Sequence, residues 1–304
     1  MFDIGEINRL TPLQYVCRGA YFGLVSLVIL PGSALAVRYL LASPWDALYI
    51  LPVAFLATSL GANTACHMYF THRSFTAARW FHVVLAFLAT ILCQDSIIQW
   101  VANHKRHHRH VDVVDKDPHT PWQFGMQKWK AATVGVLWAS AGWKFSSTLT
   151  SKKFYAKQLM DDSVIRWFDR HFVFISLSVM AFPAVIGWMI GGLPLALKWF
   201  AYFSALRVFI GYFFTEFVVN GLCHVFGSKK FDVRGRSTNL MFMAPLTLGA
   251  TLHHNHHAFP RVLSPAIDGE LDTMQIFYWL LKKIKCIVVT ENPSEEEILA
   301  KRLS

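Results

Sequence analysis

The chain has 304 residues, of which 54% are hydrophobic, 15% aromatic and 16% charged, with a formal net charge of +10. It is greasier and less charged than an ordinary soluble enzyme, so a membrane protein is the first reading. The positive charge lies between apolar runs and forms no basic motif interleaved with aromatics, which argues against nucleic acid and for a membrane surface and an anionic substrate.

Five cysteines, Cys17, Cys66, Cys93, Cys223 and Cys286, stand far apart with no C-x-x-C pair. Neither a thiolate metal site nor a disulfide framework is indicated, and they read as small apolar fillers. The start, "MFDIGEINRLTP", lacks the pattern of a cleaved signal peptide.

In chain order, the first long apolar run covers about 21–41, with Pro31 expected to kink it. The short turn "ASPWD" leads to a second run, about 48–66, which ends directly at His67. A connection this short makes the two a helical hairpin. The run from Phe81 to Cys93 is too short to cross a bilayer and is expected to lie at the interface. Residues 101–170 are polar and rich in Trp, Lys and Arg, and their one apolar piece, "AATVGVLWASAGW", is also too short to cross.

A third crossing follows at about 172–190, then the turn "GGLP" and a fourth at about 195–220. This last run carries Arg207 and Glu216, so its end is expected to project beyond the membrane. The stretch 274–289, "MQIFYWLLKKIKCIVV", reads as a second interfacial helix, and "SEEE" as a solvated helix start. The fold class is therefore all-α integral membrane: four transmembrane helices and a helical cap, in one domain over 1–304. Residues 101–170 alone hold twelve Lys and Arg, which places that cap and both termini on the cytoplasmic side.

The chemistry is carried by histidines. In "NHKRHHRH", His104, His107 and His108 stand at i, i+3 and i+4, and His253, His256 and His257 repeat the spacing in "HHNHH". On a helix this puts three imidazoles on one face, where a metal is approached by several neutral nitrogens at once. His67 and His72 in "HMYFTH" and His224 in "NGLCH", preceded four residues earlier by Asn220, complete four groups, all emerging on one side of the membrane.

Imidazole suits Fe, Zn, Cu and Ni alike, but nine histidines exceed what one site takes and favour two metals. His67 and His72 are five apart, about 140° around an ideal helix. They serve different metals, or the helix ends between them. His82, His110, His119, His171 and His254 read as surface or supporting residues. Asp95, Asp112, Asp115 and Asp117 are candidates to hydrogen-bond ligand histidines. Arg73, Lys152, Lys153 and Arg207 are candidates for an anionic head group or phosphopantetheine, and Trp138 and Trp143 for the wall of an acyl tunnel.

The pattern HxxxxH, HxxHH, NxxxH, HxxHH among four membrane helices resembles the membrane fatty-acid desaturase superfamily, nearest the bacterial stearoyl-type branch. The likeness runs from about residue 48 to 284 and includes "THRSF", "DPHTP", "NGLCHVFGSKKFD" and "LTLG". It implies that His67, His72, His104, His107, His108, His224, His253, His256 and His257 ligate two irons, with Asn220 holding a metal-bound water. It also implies a cis double bond inserted into an acyl chain on CoA, carrier protein or lipid, using dioxygen. Electrons come from a ferredoxin, rubredoxin or cytochrome-type donor, since the chain itself shows no cytochrome, ferredoxin or dinucleotide motif.

The last group departs from the family's "GEGWHNNHH": here Ala250, Thr251, Leu252 and His254 stand in "GATLHHNHH". Relatives with altered outcomes include acetylenases, hydroxylases and a terminal-alkene-forming decarboxylase. Oxidation at the chain terminus of a carrier-bound acyl group is thus the alternative. A metal transporter is the remote one, disfavoured because the histidines sit at helix ends rather than in mid-membrane.

Overall fold

The computed structural model describes residues 5–290 and 292–303. Among the described residues, three helices are long and apolar enough to cross a membrane: Pro12–Ala42, Pro44–Thr71 and Phe172–His224. The first, α1 (Pro12–Ala42), starts at a capping box in which Thr11 and Gln14 bond each other's backbone, with Pro12 in the first turn. It continues through Pro31. Its outer face exposes Leu24, Leu27, Leu30, Val37 and Leu41, an apolar stripe that a soluble protein would not leave in water.

The second, α2 (Pro44–Thr71), opens with a short 3-10 turn and widens into a π-helix from Ser59 to Thr71. Gly61 lets it lie against the interfacial helix α3 (Arg79–Thr90): a Cβ there would sit 2.5 Å from the Leu88 carbonyl oxygen. Next, α4 (Ile97–Arg109) carries the second histidine group, and a polar region follows whose apolar piece forms a short helix near residues 128–140.

The run from Phe172 to His224 is not one rod. Gly191 and Gly192 leave helical geometry, Gly192 at φ +65°, a conformation glycine adopts without a Cβ clash. The chain folds back there, so that the Ser204 hydroxyl donates to the Met180 carbonyl oxygen at 2.6 Å. The two arms, α5 (172–190) and α6 (193–224), are a hairpin turned at the expected "GGLP". Two short helices complete the set used below, α7 (His253–Ala258) and α8 (Met274–Lys283).

Two expectations are corrected, the extent of the helix at 274–289 and the purely helical class. Arg207 and Glu216, the charges of the last apolar run, are both buried in the bundle. Arg207 donates to the carbonyl oxygens of Phe203 and Ile91, and Glu216 pairs with Lys144. The helix expected over 274–289 stops at Lys283, because Lys285 turns at φ 56° and the β-branched Ile287–Val289 pairs antiparallel with Phe75–Ala77. A second ribbon joins Ile7–Arg9 to Thr148–Thr150, so the fold is helical but not purely so.

"SEEE" does start a helix, with Ser294 and Glu297 in a capping box. The main core lies where α2, α3 and α4 meet α8, around Met68, Phe75, Leu85, Ile97, Ile165 and Tyr278. It fixes α2 and α4 side by side with their histidines at one end.

Candidate metal centre

All nine histidines of the four groups converge, and they separate into two sets. His67, His72, His104, His108 and His256 form one; His107, His224, His253 and His257 form the other. In each set the candidate ligand nitrogens lie within 4.8 Å of one another.

Both HxxHH helices contribute to both sets. On α4, His104 and His108 face the first and His107 the second; on α7, His256 faces the first and His253 and His257 the second. His67 and His72 fall in the same set, and the helix ends between them, at Thr71, with His72 as its C-cap. The π-helical turn explains this: the His72 N–H donates to the His67 carbonyl oxygen, an i to i+5 bond, so five residues close one turn there. Their rings are 4.8 Å apart.

The donor chemistry fits two metal ions. Nε2 atoms face each other at 2.9 Å in His67–His256, 3.0 Å in His104–His108, His108–His256, His224–His253 and His253–His257, and 3.3 Å in His107–His257. His67, His107 and His224 each place Nδ1 against an oxygen, which assigns the proton to that nitrogen and leaves a bare lone pair at Nε2. Facing lone pairs repel unless a cation sits between them. An ion holding imidazole nitrogens at about 2.1 Å brings neighbouring ones to roughly 3 Å of each other, the spacing of these facing pairs. The buried His72 Nε2 has no hydrogen-bond partner, as an atom reserved for a metal would not.

Electrostatics agree. Burial, then the neighbouring imidazoles, holds His104, His107, His253, His256 and His257 well below the usual histidine range, and His108 down to about 3. These rings are neutral at pH 7, the form that binds metal.

Two of the four aspartates flagged from sequence reach the histidines. Asp117 Oδ2 accepts from His107 Nδ1 at 2.8 Å, and Asp112 Oδ2 from His224 Nδ1 at 2.9 Å. The loop after α4 makes this possible: Asp112, at φ 58°, gives its N–H to Asp117 Oδ2 and takes the Arg236 N–H at 2.6 Å. Asp95 instead pairs with Arg18, and Asp115 with Gln123 at the surface.

Of the other histidines, His110 bonds Glu6, His82 meets Tyr69 and Asp162, His171 donates to the Trp167 carbonyl oxygen, and His254 bonds the Phe231 backbone. His119 is the exception. It stacks on His107 at 4.4 Å and lines the cavity beside the two sets.

That cavity, mostly apolar, runs from Phe55 and Phe214 in the helical bundle to His67, His104 and His253. A second cavity holds Arg9, Arg18 and Arg106 with Trp138. Asn103 and Trp143 line both, so the two abut there. Trp143 lines both cavities, and Trp138 lines only the second. Arg73 and Lys153 are exposed and Lys152 is tied to Asp169 at 2.9 Å, and none of the three lines either cavity. Asn220 is on the first cavity's wall, its Nδ2 donating to Glu216 Oε2 at 2.8 Å.

Sequence reasoning missed Asn63, whose Oδ1 accepts from His67 Nδ1 at 3.2 Å, as well as Gln94 and Lys144. Only Asn63 left a signal, an amide four residues before a histidine on an apolar helix.

Residues 42–267 match the family model described as fatty acid desaturase. The chain is 29% identical over 254 residues to the hex-5-enoyl-[acyl-carrier protein] acetylenase of Moorena producens, covering 81% of this chain and 77% of that one. It is 29% identical over 255 residues to the Delta-9 desaturase-like 3 protein of Arabidopsis thaliana, covering 83% and 79%. Against the sn-1 stearoyl-lipid 9-desaturase of Anabaena variabilis it is 29% identical over 218 residues, 71% and 72% of the two chains. With a family model spanning most of the chain and its histidine groups gathered at the end of an apolar helical bundle, this protein belongs to the fatty acid desaturase family and is an oxidoreductase of lipid metabolism.

Proposed function

We propose that this protein is a diiron, dioxygen-dependent desaturase of a fatty acyl chain, embedded in a membrane by four crossings of a single domain. The observation that carries the reading is the pair of facing Nε2 sets beside a mostly apolar cavity that reaches into the helical bundle. The hairpin turned at Gly191 and Gly192 supports the count of four crossings, and the basic residues 101–170 support a cytoplasmic cap. The nine histidines are the proposed ligands of two irons. Iron and dioxygen supply the oxidising power to take hydrogen from an unactivated methylene, which no side chain supplies alone.

The chain's own residues do the rest. Asn63, Asp112 and Asp117 fix ring orientation and tautomer at His67, His224 and His107. The walls from Phe55 and Phe214 to Trp143 hold the alkyl chain beside the histidines and exclude water. Arg9, Arg18 and Arg106 line the adjoining cavity, where an anionic carrier or head group belongs. Electrons then come from an external ferredoxin, rubredoxin or cytochrome-type protein.

A second reading, oxidation at the acyl terminus on a carrier protein, is favoured by the relative named as an acyl-carrier-protein acetylenase.

Mass spectrometry of acyl products from a host expressing wild type or His107→Ala, with iron measured on both purified proteins, tests these readings. Internal unsaturation only with wild type and about two irons per chain is the expected result. A terminal product selects the second reading, and absence of iron from the wild type overturns both.

A further inference from the structure

Lys144 and Glu216 form a charge pair at the wall of the acyl cavity, and the reaction as described leaves both unused. Each is 2% exposed. Glu216 Oε1 accepts from Lys144 Nζ at 2.8 Å, and the ammonium also donates to the Gln94 carbonyl oxygen at 3.2 Å. Its remaining side lies over the Trp143 ring at 4.3 Å, with Phe22 and Tyr212 beyond. Burying two charges costs several kcal/mol per ion, and an apolar pair of equal volume is often as stable or more so. Packing alone therefore does not account for the pair.

The other carboxylate oxygen, Oε2, faces Asn220 at 2.8 Å. A carboxylate only accepts hydrogen bonds, so the facing Asn220 atom has to be the amide nitrogen. The Asn220 oxygen is then left for the cavity that this residue shares with His67, His104 and His253. Asn220 in turn precedes His224 by four residues.

We propose that Lys144 and Glu216 are positioning residues: together they lock the Asn220 carboxamide with its oxygen toward the histidine-lined cavity, as acceptor for a water beside the four-histidine set. Glu216 makes the contact, and Lys144 supplies the counter-charge that keeps it an acceptor. The inference rests on the diiron reading above and adds two residues that the histidine pattern does not contain.

The test uses iron-loaded, full-length protein carrying Glu216→Gln, Asn220→Leu, both together, or Lys144→Met with Glu216→Gln. Glutamine keeps the shape of Glu216 but brings an NH2 group that can donate to the Asn220 oxygen, so the amide is free to turn over. Iron content is expected to stay at the wild-type level. The Mössbauer spectrum of the reduced protein should shift in Glu216→Gln as it does in Asn220→Leu. Turnover should fall on the order of 10- to 100-fold, the scale for losing a partner of a metal-site residue, with acyl KM within about twofold.

In the Asn220→Leu background Glu216→Gln should add nothing, because its partner is gone. The Lys144→Met, Glu216→Gln double variant, with no buried charge left unpaired, should match Glu216→Gln. Losses that multiply in the Glu216 and Asn220 double variant, or a wild-type spectrum in Glu216→Gln, overturn the proposal. So does failure of both Glu216→Gln and the charge-free double variant to fold, which makes the pair structural. Wild-type protein without iron overturns the diiron reading and this inference with it; iron present beside an unperturbed Glu216→Gln overturns this inference alone.

Discussion

The two histidine sets draw on shared helices, α4 and α7, yet they are supported in different ways. The five-histidine set is held by local geometry: a π turn that brings His72 under His67, and the amide of Asn63 on His67. Among the described residues no carboxylate touches it. The four-histidine set is held by two buried aspartates from a loop, each on one ring nitrogen, and those aspartates are themselves joined through the Asp112 N–H. A carboxylate partner raises the basicity of an imidazole and fixes its orientation more firmly than an amide does. One set therefore has more histidines with amide support, and the other fewer histidines with carboxyl support.

Deleting one ligand from each set tests this difference most strongly. His253→Ala leaves three imidazoles in its set, fewer than the usual four, whereas His72→Ala leaves four. Iron should drop from about two to about one per chain in His253→Ala, with product lost, while His72→Ala keeps about two. Elemental analysis alongside product assay reads both, and equal iron in the two variants breaks the comparison.

Changing the supports should act less severely. Asp117→Asn or Asp112→Asn is expected to weaken iron retention against a chelator by about 10- to 100-fold, and Asn63→Leu to fall at or below the lower end. A larger effect from Asn63→Leu would reverse the assignment of strong and weak support.

The smallest effect is expected where a single element braces both sets together. Glu6, beside the N-terminal ribbon, pairs with His110 at 2.7 Å and Arg109 at 3.1 Å, at the end of α4. Burial works against its charge, but Tyr155, His110 and Arg109 outweigh this and hold the Glu6 carboxyl below its ordinary value of 4.5. A carboxyl depressed on folding stabilises above its unfolded pKa, and the contribution is lost as pH falls through the folded value. Glu6→Gln should therefore melt a few degrees below wild type at pH 7, the shift that ~1 kcal/mol produces. The gap should close at acid pH below the ordinary carboxylate range. A gap independent of pH would show that Glu6 acts through packing rather than charge.

The histidine spacing was legible because the chemistry needs those side chains themselves, and a helix turns i, i+3 and i+4 onto one side whatever surrounds it. Apolar runs were legible for the same reason: a bilayer demands length and hydropathy directly. The partners of the buried charges were not legible. Glu216 in an apolar run gives no sign of Lys144, far away in sequence. The basic candidates Arg73, Lys152 and Lys153 line neither cavity, and surface cations follow topology as readily as substrate. The strand at Ile287–Val289 was hidden because its apolar residues extend a helical pattern, and only its partner Phe75–Ala77 makes it a strand.

The sequence by itself determined which donor atoms exist, how many there are, and which lie one helical turn apart, since these follow from residue type and local geometry. Tertiary structure decided how nine imidazoles divide into five and four, which aspartates support them, and that Lys144, Glu216 and Asn220 form one chain of contacts. Those outcomes depend on how α2, α4, α6 and α7 pack at their histidine-bearing ends, and a side chain's partner across that packing leaves no trace in the spacing of its own segment.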